Sequence, residues 1–237
     1  MSSQKVTFSH CVPTIIHMLV SRPVIKNLDL SPWKVVIGGS ALSQGLCKAG
    51  LENGIDLYTA YGMSETCPLL TVANLKPHML AWDVERQVEM RCRTGLPVPN
   101  VLLEVVDTEG NPQPHDGKTA GEVVVRAPWL TQGYSQDPEK SEELWANGWL
   151  HTGDIAFIDA EGYLQITDRV KDVIKTGGEW ISSLALEDLI SPEDLKAFFV
   201  KFAEAGVIPK YGVPDRVNIV ETSVGKINKK QLRIDYK

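Results

Sequence analysis

The sequence has few cysteines, and their spacing argues against a disulfide framework or a structural zinc site. Cys11, Cys47, Cys67 and Cys92 are scattered along 237 residues with no Cys-x-x-Cys pair. No histidine follows them at metal-ligand spacing, and the five histidines form no catalytic triad or metal pair. The cysteines are therefore predicted to be reduced, mostly buried thiols, which favours the cytoplasm as the location.

Long apolar runs are also missing. No run reaches the about 20 apolar residues that a helix needs to cross a bilayer. Residues 1–5 lack the charged segment that leads into the core of a signal peptide. We therefore expect a soluble protein without a transmembrane segment, although the composition stays compatible with a hydrophobic substrate.

Neither sign of charge dominates the chain. Lys and Arg together number 24 and Asp and Glu 30, so the formal net charge is −6, and 43% of the residues are hydrophobic. This balance is typical of a soluble globular protein and argues against nucleic acid as a partner. The exception is a basic cluster near the carboxyl end, Lys226, Lys229 and Lys230, and such clusters are usually solvated.

Hydrophobic periodicity predicts a parallel α/β unit in the first third of the chain. A stripe with helical spacing predicts a helix over residues 7–20. Residues 33–37 and 55–61 are predicted strands, and a helix over residues 41–53 connects them. Residues 63–75 and 82–90 are predicted to be helical. A helix between two strands is typical of a parallel sheet.

The pattern changes from residue 95 onward. Short strands separated by turns are predicted over residues 101–107, 121–126, 149–159 and 163–167, which indicates a small antiparallel β unit. The charged segment 168–172 has the character of a linker between two cores. Beyond it, the sequence predicts a strand over 173–176, a Gly177-Gly178 turn, and helices over 182–190 and 195–205.

Residues 56–66 combine a strand with polar groups suited to a charged ligand. The strand pattern stops at Gly62, which permits a tight turn, and Ser64 and Glu65 follow. Open α/β sheets bind ligands at the carboxyl ends of their strands. A hydroxyl and a carboxylate at such a place suit a magnesium-bound nucleotide.

Several short motifs occur along the chain in a characteristic order: Gly38-Gly39-Ser40-Ala41, Tyr61-Gly62-Met63-Ser64-Glu65, residues 121–126, Thr152-Gly153-Asp154, residues 168–179 and Gly225-Lys226-Ile227. Together they resemble the adenylate-forming acyl-CoA synthetase family, also known as the AMP-binding superfamily. The resemblance covers nearly the whole chain. Around Tyr61 and Trp180 the sequence is most similar to medium- and long-chain fatty acyl-CoA ligases.

The resemblance implies a two-step ligase. A fatty acid would be adenylated with ATP and then joined to coenzyme A, with Mg²⁺ as the metal. Glu65 and Lys226 are the implied catalytic residues, and Glu65 is also the magnesium ligand. In the family, a lysine that matches Lys226 enters the site for adenylation and is withdrawn when the small carboxyl-terminal domain swings. A lysine suits this role because it is a mobile point charge.

The resemblance also assigns the binding residues. Tyr61 would pack on adenine, Ser64 would contact phosphate and Asp154 would bind the ribose hydroxyls. Asp168 would be the hinge of the small domain. The full implied nucleotide-binding set is Gly38, Gly39, Ser40, Ala41, Tyr61, Gly62, Ser64, Asp154 and Arg169, and the implied coenzyme A channel is lined by Gly177, Gly178 and Glu179.

Each assignment has a structural alternative. Without the resemblance, Glu65 would be a surface glutamate at a helix start, Tyr61 a core tyrosine and Asp154 a β-turn aspartate. The Gly177-Gly178 segment equally fits a plain β-turn, and the charged linker equally fits a solvated segment. His151 is expected to support the turn that holds Asp154.

The chain departs from the family in two places. In complete family members the phosphate loop lies upstream of the segment that resembles this chain, and nothing before Val6 is similar to it. In complete family members, two strands follow the helix that matches residues 182–190. In this sequence the next predicted helix begins directly, at Ser191. We therefore expect either a fragment without the amino-terminal half and part of the carboxyl-terminal domain, or joined pieces of a longer chain.

Three domains are predicted. Residues 1–94 form the end of a parallel α/β subdomain, and residues 95–167 form a small antiparallel β-barrel-like subdomain. Residues 168–237 form an incomplete mobile α+β domain with the hinge at its start.

Two other functions stay open. The adenylating site is shared with enzymes that load another acceptor, such as a carrier protein. A truncated chain would also fit a non-catalytic nucleotide-binding module. The sequence determines neither the acyl chain length nor whether the protein forms a homodimer.

Overall fold

The structure is a computed structural model that describes residues 5–170, 174–176, 179–181 and 200. The chain divides into two compact units, Met1–Val173 and Ile174–Lys237. In the first unit, the described residues form two five-stranded sheets. The predicted domain boundaries at residues 94/95 and 167/168 stay predictions.

The first sheet begins with three parallel strands, β1 (Phe8–Cys11), β2 (Lys34–Ile37) and β3 (Asp56–Gly62). Two antiparallel strands complete it, β4 (Leu69–Val72) and β5 (Leu96–Pro97), in the order β1-β2-β3-β4-β5. The carboxyl ends of β1, β2 and β3 therefore lie at one edge of the sheet. The predicted parallel α/β unit is confirmed.

Helices cover this sheet. The first, α1 (Pro13–Val20), follows β1 and leads into a 3-10 turn at Pro23–Asn27, and α2 (Gln44–Glu52) connects β2 to β3. A third helix, α3 (Val84–Cys92), packs against α2 and β3. Their apolar faces form a core with the buried side chains of the strands, Ile16, Ile25, Leu30, Trp33, Val35, Ile37, Leu42, Cys47, Ile55, Leu57 and Val88.

Two predicted helices are corrected by the structure. Residues 7–20 contain β1 before the helix, because Val12 precedes Pro13 and is held in the extended region at φ −93° and ψ 157°. Residues 63–75 contain a 3-10 turn at Ser64–Thr66 and then β4. Pairing with β3 buries Leu70 and Thr71 of β4 and overrides the local helical pattern.

The second sheet is antiparallel. Its strands are β6 (Leu102–Val106), β7 (Gly121–Arg126), β9 (Trp149–Ile158) and β10 (Leu164–Arg169), in the order β10-β9-β7-β6. A helix that the sequence did not predict, α4 (Pro138–Leu144), leads into β8 (Trp145–Ala146), which pairs with β9. As far as the structure describes the chain, this sheet is open, so the predicted antiparallel unit is present without closing into a barrel.

Hydrogen bonds join the second sheet to the first. Gly95 and Leu164 exchange backbone hydrogen bonds of 3.2 and 2.9 Å. The Thr94 hydroxyl accepts the Ile166 N–H at 2.9 Å, and the Thr94 carbonyl accepts the Thr71 hydroxyl at 2.6 Å. These contacts hold β10 beside β4 and β5.

In the second unit, β11 (Ile174–Thr176) pairs with β12 (Glu179–Ile181) in antiparallel register. The strand predicted over residues 173–176 is present there. The predicted helices over residues 182–190 and 195–205 lie outside the described residues, except Val200, which is helical. Nowhere in the described part of the chain is a helix both long and apolar enough to span a bilayer.

All four cysteines carry free thiols, as predicted. Their predicted burial is only partly correct, because Cys47 is buried, Cys11 and Cys92 are half-buried and Cys67 is exposed. Cys67 ends the Ser64–Thr66 turn in the left-handed region at φ 53°. Its side chain is exposed at the place where the chain reverses towards β4.

Candidate active site

The site begins where β3 ends. Leu57 and Thr59 of β3 are buried, and Tyr61 packs against the apolar core of the second sheet. At Gly62 the chain turns so closely over the next segment that a Cβ atom would lie 1.5 Å from the Pro68 carbonyl oxygen. Only glycine fits there, and the tight turn directs the following residues to the surface.

Thr66 holds this turn together. Its buried hydroxyl accepts the Met63 N–H at 3.0 Å and lies 2.7 Å from the Pro68 carbonyl oxygen and 3.0 Å from that of Met63. The turn leaves the Ser64 side chain exposed and the Glu65 side chain half-buried. The hydroxyl and the carboxylate predicted at the strand end are thus presented on a fixed support.

The glycine turn after β2 lies beside the same edge. A Cβ atom on Gly38 would lie 3.5 Å from the Ala60 carbonyl oxygen, so the backbone of Gly38 adjoins the end of β3. Gly39 adopts φ +86°, and both Gly39 and Ala41 are exposed, while Ser40 is half-buried. The turn then enters α2, whose first turn is capped by the Ser43 hydroxyl.

Asp154 reaches the site through a β-bulge in β9. Glu122 of β7 pairs with Ile155 and Val124 pairs with His151, so residues 152–154 of β9 oppose the single residue Val123. The Thr152 hydroxyl donates to the Val123 carbonyl at 2.8 Å and accepts the Asp154 N–H at 3.2 Å. Bulges of this kind redirect a side chain, and this one turns Asp154 towards β3.

The carboxylate of Glu122 clamps the bulge from β7. One oxygen, Oε1, accepts the Gly153 N–H at 3.1 Å, and the other lies 2.9 Å from His151 Nδ1. Gly153 has φ +70°, a conformation that glycine adopts without strain. His151 therefore contacts the carboxylate that holds the bulge, and its expected supporting role stays a prediction.

Tyr61, Asp154 and Arg169 meet in one hydrogen-bonded group. The Tyr61 hydroxyl donates to Asp154 Oδ2 at 2.6 Å, and Arg169 Nε lies 3.4 Å from Asp154 Oδ1. Asp154 and Arg169 are register partners on β9 and β10. The Asp154 side chain is 10% exposed and that of Arg169 70% exposed, so a buried carboxylate is partnered by a cation that remains open to ligands.

Burial shifts the acid–base behaviour of this group. It raises the pKa of the Asp154 carboxyl, and repulsion from Glu122 and Glu65 raises that pKa further, while the Tyr61 hydrogen bond and the Arg169 charge lower it. Burial and the Asp154 charge also raise the pKa of Tyr61, so its hydroxyl stays a donor at neutral pH. The carboxylates of Glu122 and Glu65 are thus close enough to repel that of Asp154. This negative charge favours cationic ligands or ligands with hydroxyl donors.

Glu65 is held by a residue that the sequence did not single out. The Tyr134 hydroxyl donates to Glu65 Oε1 at 2.7 Å, and the Thr131 N–H donates to the Glu65 carbonyl oxygen at 2.9 Å. Glu65 Oε2 accepts no hydrogen bond from any residue in the described ranges. One carboxylate oxygen is thus engaged and the other remains open to a ligand.

The carboxylates of this site fit a magnesium ion that is also bound by substrate phosphates. Within the part of the chain that the structure describes, no group of three or more His, Cys, Asp or Glu residues could enclose a metal ion. Magnesium is usually bound by one or two carboxylates together with substrate phosphates and water. The open oxygen of Glu65 fits that pattern, and a metal cage made by the protein alone does not.

The structure brings together most of the predicted site residues. Ten of them lie in the turn after β2, at the end of β3 and in the turn that follows it, or on β9 and β10: Gly38, Gly39, Ser40, Ala41, Tyr61, Gly62, Ser64, Glu65, Asp154 and Arg169. Asp168, the predicted hinge, is 2% exposed, and its Oδ1 accepts the Arg169 N–H at 2.8 Å. Lys226, Gly177 and Gly178 lie outside the described residues, and Glu179 is described only as part of β12.

Sequence reasoning did not identify Glu122, Tyr134 or Thr66 as parts of the site. Glu122 lies in the motif at residues 121–126, but the sequence there predicts only an ordinary strand. Tyr134 stands in a loop 69 positions after Glu65, and no local signal marks their contact. Strand pairing places Glu122, the packing of a loop places Tyr134, and the local turn places Thr66.

The chain matches a family of known proteins. A family model described as AMP-binding enzyme matches residues 1–135. A long-chain-fatty-acid–CoA ligase of Thermus thermophilus is 34% identical over 272 aligned residues, which cover 98% of this chain and 50% of that protein. A 3-methylmercaptopropionyl-CoA ligase of Ruegeria lacuscaerulensis is 34% identical over 98% of this chain and 49% of that protein.

Solved structures show the same architecture. An amide bond synthetase from Marinactinospora thermotolerans superposes with a TM-score of 0.74 at 25% identity, over 100% of this chain and 54% of that one. The chain spans about half the length of the curated relatives it matches.

Proposed function

Because the chain belongs to the family of AMP-binding enzymes, we propose that it is part of an ATP-dependent ligase that activates a carboxylic acid as an acyl-adenylate and joins it to coenzyme A. The observation that carries this proposal is the group formed by Tyr61, Asp154 and Arg169 at the carboxyl end of β3. The glycine turn after β2 and the Glu65 carboxylate adjoin the same strand end. Together they offer groups for the base, the ribose and the phosphates of a nucleotide.

The chemistry explains why the site needs these groups. A carboxylate is a poor electrophile, because its charge repels nucleophiles. In the proposed first step, a carboxylate oxygen attacks the α-phosphorus of ATP, and the bond to the β-phosphate oxygen breaks to release pyrophosphate. In the second step, the coenzyme A thiolate attacks the acyl carbon, and AMP leaves with the electron pair of the broken bond. Both steps depend on positioning and on neutralising phosphate charge.

Asp154 and Tyr61 would bind the nucleoside. An ionised carboxylate has several lone pairs, so Asp154 can keep the Tyr61 hydrogen bond and still accept hydrogen bonds from ribose hydroxyls. The same hydrogen bond fixes the Tyr61 ring, whose face would pack on adenine opposite the Gly38-Gly39-Ser40-Ala41 backbone. Arg169, which is largely exposed, would reach the ribose or a phosphate.

Glu65 would hold the magnesium ion of the nucleotide through its open oxygen, with Ser64 beside it to contact phosphate. A bound magnesium ion neutralises phosphate charge and orients the leaving pyrophosphate. The roles of Lys226 as the adenylation lysine, of Asp168 as the hinge, and of Gly177, Gly178 and Glu179 as the coenzyme A channel remain parts of the proposal that the resemblance alone supports.

We propose a fatty acid as the acid substrate. The Thermus thermophilus relative is a long-chain fatty acid ligase, but the Ruegeria lacuscaerulensis relative acts on methylmercaptopropionate, so the acid has to be determined directly. A second candidate function is transfer to an acceptor other than coenzyme A, because one similar structure is an amide bond synthetase. The free thiols suit the reducing conditions of the cytoplasm, the proposed location.

Acid-dependent exchange of pyrophosphate into ATP tests the activation step. The natural complete protein is assayed with a panel of short, medium and long fatty acids and with methylmercaptopropionate. We expect exchange with at least one acid and a loss of at least about 100-fold in Asp154→Ala, because the ribose contacts are lost. Glu104→Gln, which removes a carboxylate from β6, is the matched control and should exchange normally.

Two results would contradict the proposal: no exchange with any acid, or normal exchange in Asp154→Ala. Nucleotide binding without any exchange would favour the non-catalytic nucleotide-binding module. Product analysis with coenzyme A, a carrier protein or an amine as acceptor then separates the thioester ligase from an enzyme that loads another acceptor.

A further inference from the structure

Tyr134 stands in a loop that is anchored at both ends. On one side, the Trp145 Nε1–H donates to the Thr131 carbonyl oxygen at 3.0 Å. On the other side, the Tyr134 N–H donates to the Ser141 hydroxyl of α4 at 2.8 Å, and that hydroxyl donates to the Asp137 carbonyl oxygen at 2.7 Å. The loop is thus fixed to α4 and β8 by contacts that do not involve Glu65.

This anchored loop contacts Glu65 twice. The Thr131 N–H bonds to the Glu65 backbone, which fixes the Ser64–Thr66 turn relative to the loop. The Tyr134 hydroxyl bonds to Glu65 Oε1 at 2.7 Å, which fixes the side chain. The two contacts therefore have separable effects, since a Tyr134 variant removes only the second.

The hydrogen bond has a direction that matters for a metal ligand. A phenol donates one proton, so it occupies one lone-pair site of Oε1 and adds no charge. A phenol is uncharged at neutral pH, so Tyr134 is a neutral donor to Glu65 Oε1. A cationic partner in its place would compete with a metal ion for the carboxylate charge, and a phenol does not.

We propose that Tyr134 is a positioning residue that orients the Glu65 carboxylate so that Oε2 binds the magnesium ion of the nucleotide. The proposal rests on the proposed function, because Glu65 needs an oriented carboxylate only if it binds a metal. Partners that orient metal ligands typically change metal affinity by about 10-fold to 100-fold when removed. Tyr134 is 41% exposed, so we expect a value near the lower end of that range.

The experiment separates metal binding from nucleotide binding. The complete protein is titrated calorimetrically with α,β-methylene-ATP, which cannot release pyrophosphate, at saturating Mg²⁺ and again in EDTA. We expect Tyr134→Phe to reduce the gain in affinity that Mg²⁺ provides by about 10-fold and to leave affinity in EDTA unchanged. In the exchange assay, the same variant should need a correspondingly higher Mg²⁺ concentration.

A matched control exists on β3. The Tyr58 hydroxyl donates to the Asp56 carboxylate at the amino-terminal end of this strand, far along it from the site. Tyr58→Phe therefore also deletes a tyrosine–carboxylate hydrogen bond, and it should leave the Mg²⁺ gain at the native value.

Glu65→Gln and the double variant complete the test. If Tyr134 acts through Glu65, Tyr134→Phe should have no further effect on the Mg²⁺ gain in the Glu65→Gln background. A Tyr134→Phe variant with the native Mg²⁺ gain, beside a weakened Glu65→Gln, overturns the positioning role alone. A native Mg²⁺ gain in Glu65→Gln overturns both this inference and the proposed magnesium site.

Discussion

The Tyr61 hydroxyl donates a 2.6 Å hydrogen bond to Asp154 across 93 positions of sequence. This contact joins the end of β3 in the first sheet to the bulge of β9 in the second. It also places a buried carboxylate next to an aromatic ring at the edge where the parallel strands end. We expect both the stability of the first unit and nucleotide binding to depend on this arrangement.

Removing the Tyr61 hydroxyl should weaken both the fold and the nucleotide site. Tyr61→Phe leaves Asp154 Oδ2 without its donor, and losing such a partner of a buried group costs about 1 to 3 kcal/mol. We expect a decrease of that size in the free energy of unfolding, measured in urea, and nucleotide affinity reduced by about 10-fold, measured by calorimetric titration. Unchanged nucleotide affinity would contradict a role for this hydrogen bond in the site.

The contribution of Asp154 to stability should decrease as the pH rises from about 4 to about 7. Burial raises its folded-state pKa above the ordinary value of 3.8, so the folded state binds the proton more tightly than the unfolded state. The contribution of Asp154 to stability is therefore largest below the ordinary pKa and is lost as the pH rises through the folded-state pKa. Asp154→Asn removes this dependence.

We therefore expect the free energy of unfolding of Asp154→Asn, relative to that of the native protein, to be higher at about pH 7 than at about pH 4. Urea unfolding of both proteins across this range measures it. A difference that is the same at both pH values would mean that Asp154 is not protonated preferentially in the folded state.

Glu122 should control the bulge that carries Asp154. Glu122→Ala leaves the Gly153 N–H without its acceptor, a loss worth about 1 to 3 kcal/mol. We expect that decrease in unfolding free energy, together with nucleotide affinity reduced by about 10-fold because Asp154 is no longer held in place. Glu104→Ala serves as the control for loss of a strand glutamate. If Glu122→Ala bound nucleotide normally, the bulge would not depend on this carboxylate.

Gly62 should tolerate no side chain. In Gly62→Ala the new Cβ atom would lie 1.5 Å from the Pro68 carbonyl oxygen, so the turn must open. We expect a destabilisation of at least about 3 kcal/mol, or failure to fold, measured by urea denaturation.

Gly45 provides the control for Gly62. It lies in the first turn of α2, and a Cβ atom there meets nothing within 4 Å. Gly45→Ala should therefore stabilise the protein by about 0.5 to 1 kcal/mol, because alanine favours a helix over glycine. Similar effects at both positions would contradict the steric argument at Gly62.

Much of the fold was predictable from local sequence. Apolar alternation marked β2, β3, β6, β7, β9 and β10, and helical spacing marked α2 and α3, because burial of one face imposes a period on each element. The glycine turn after β2 and the polar groups after β3 could be identified because they follow directly on strands. The predicted roles of these residues stay predictions.

Other features depended on contacts between distant parts of the chain. Residues 69–72 form β4 because they pair with β3, and residues 8–11 form β1 because they pair with β2. The bulge at residues 152–154 and the Glu122 clamp arise from the register between strands, which no short stretch of sequence encodes. The Tyr134 contact with Glu65 arises from the packing of a loop that lies 69 positions further along the chain. The sequence by itself therefore determined which groups reach the strand ends, and only the tertiary structure decided which of them touch.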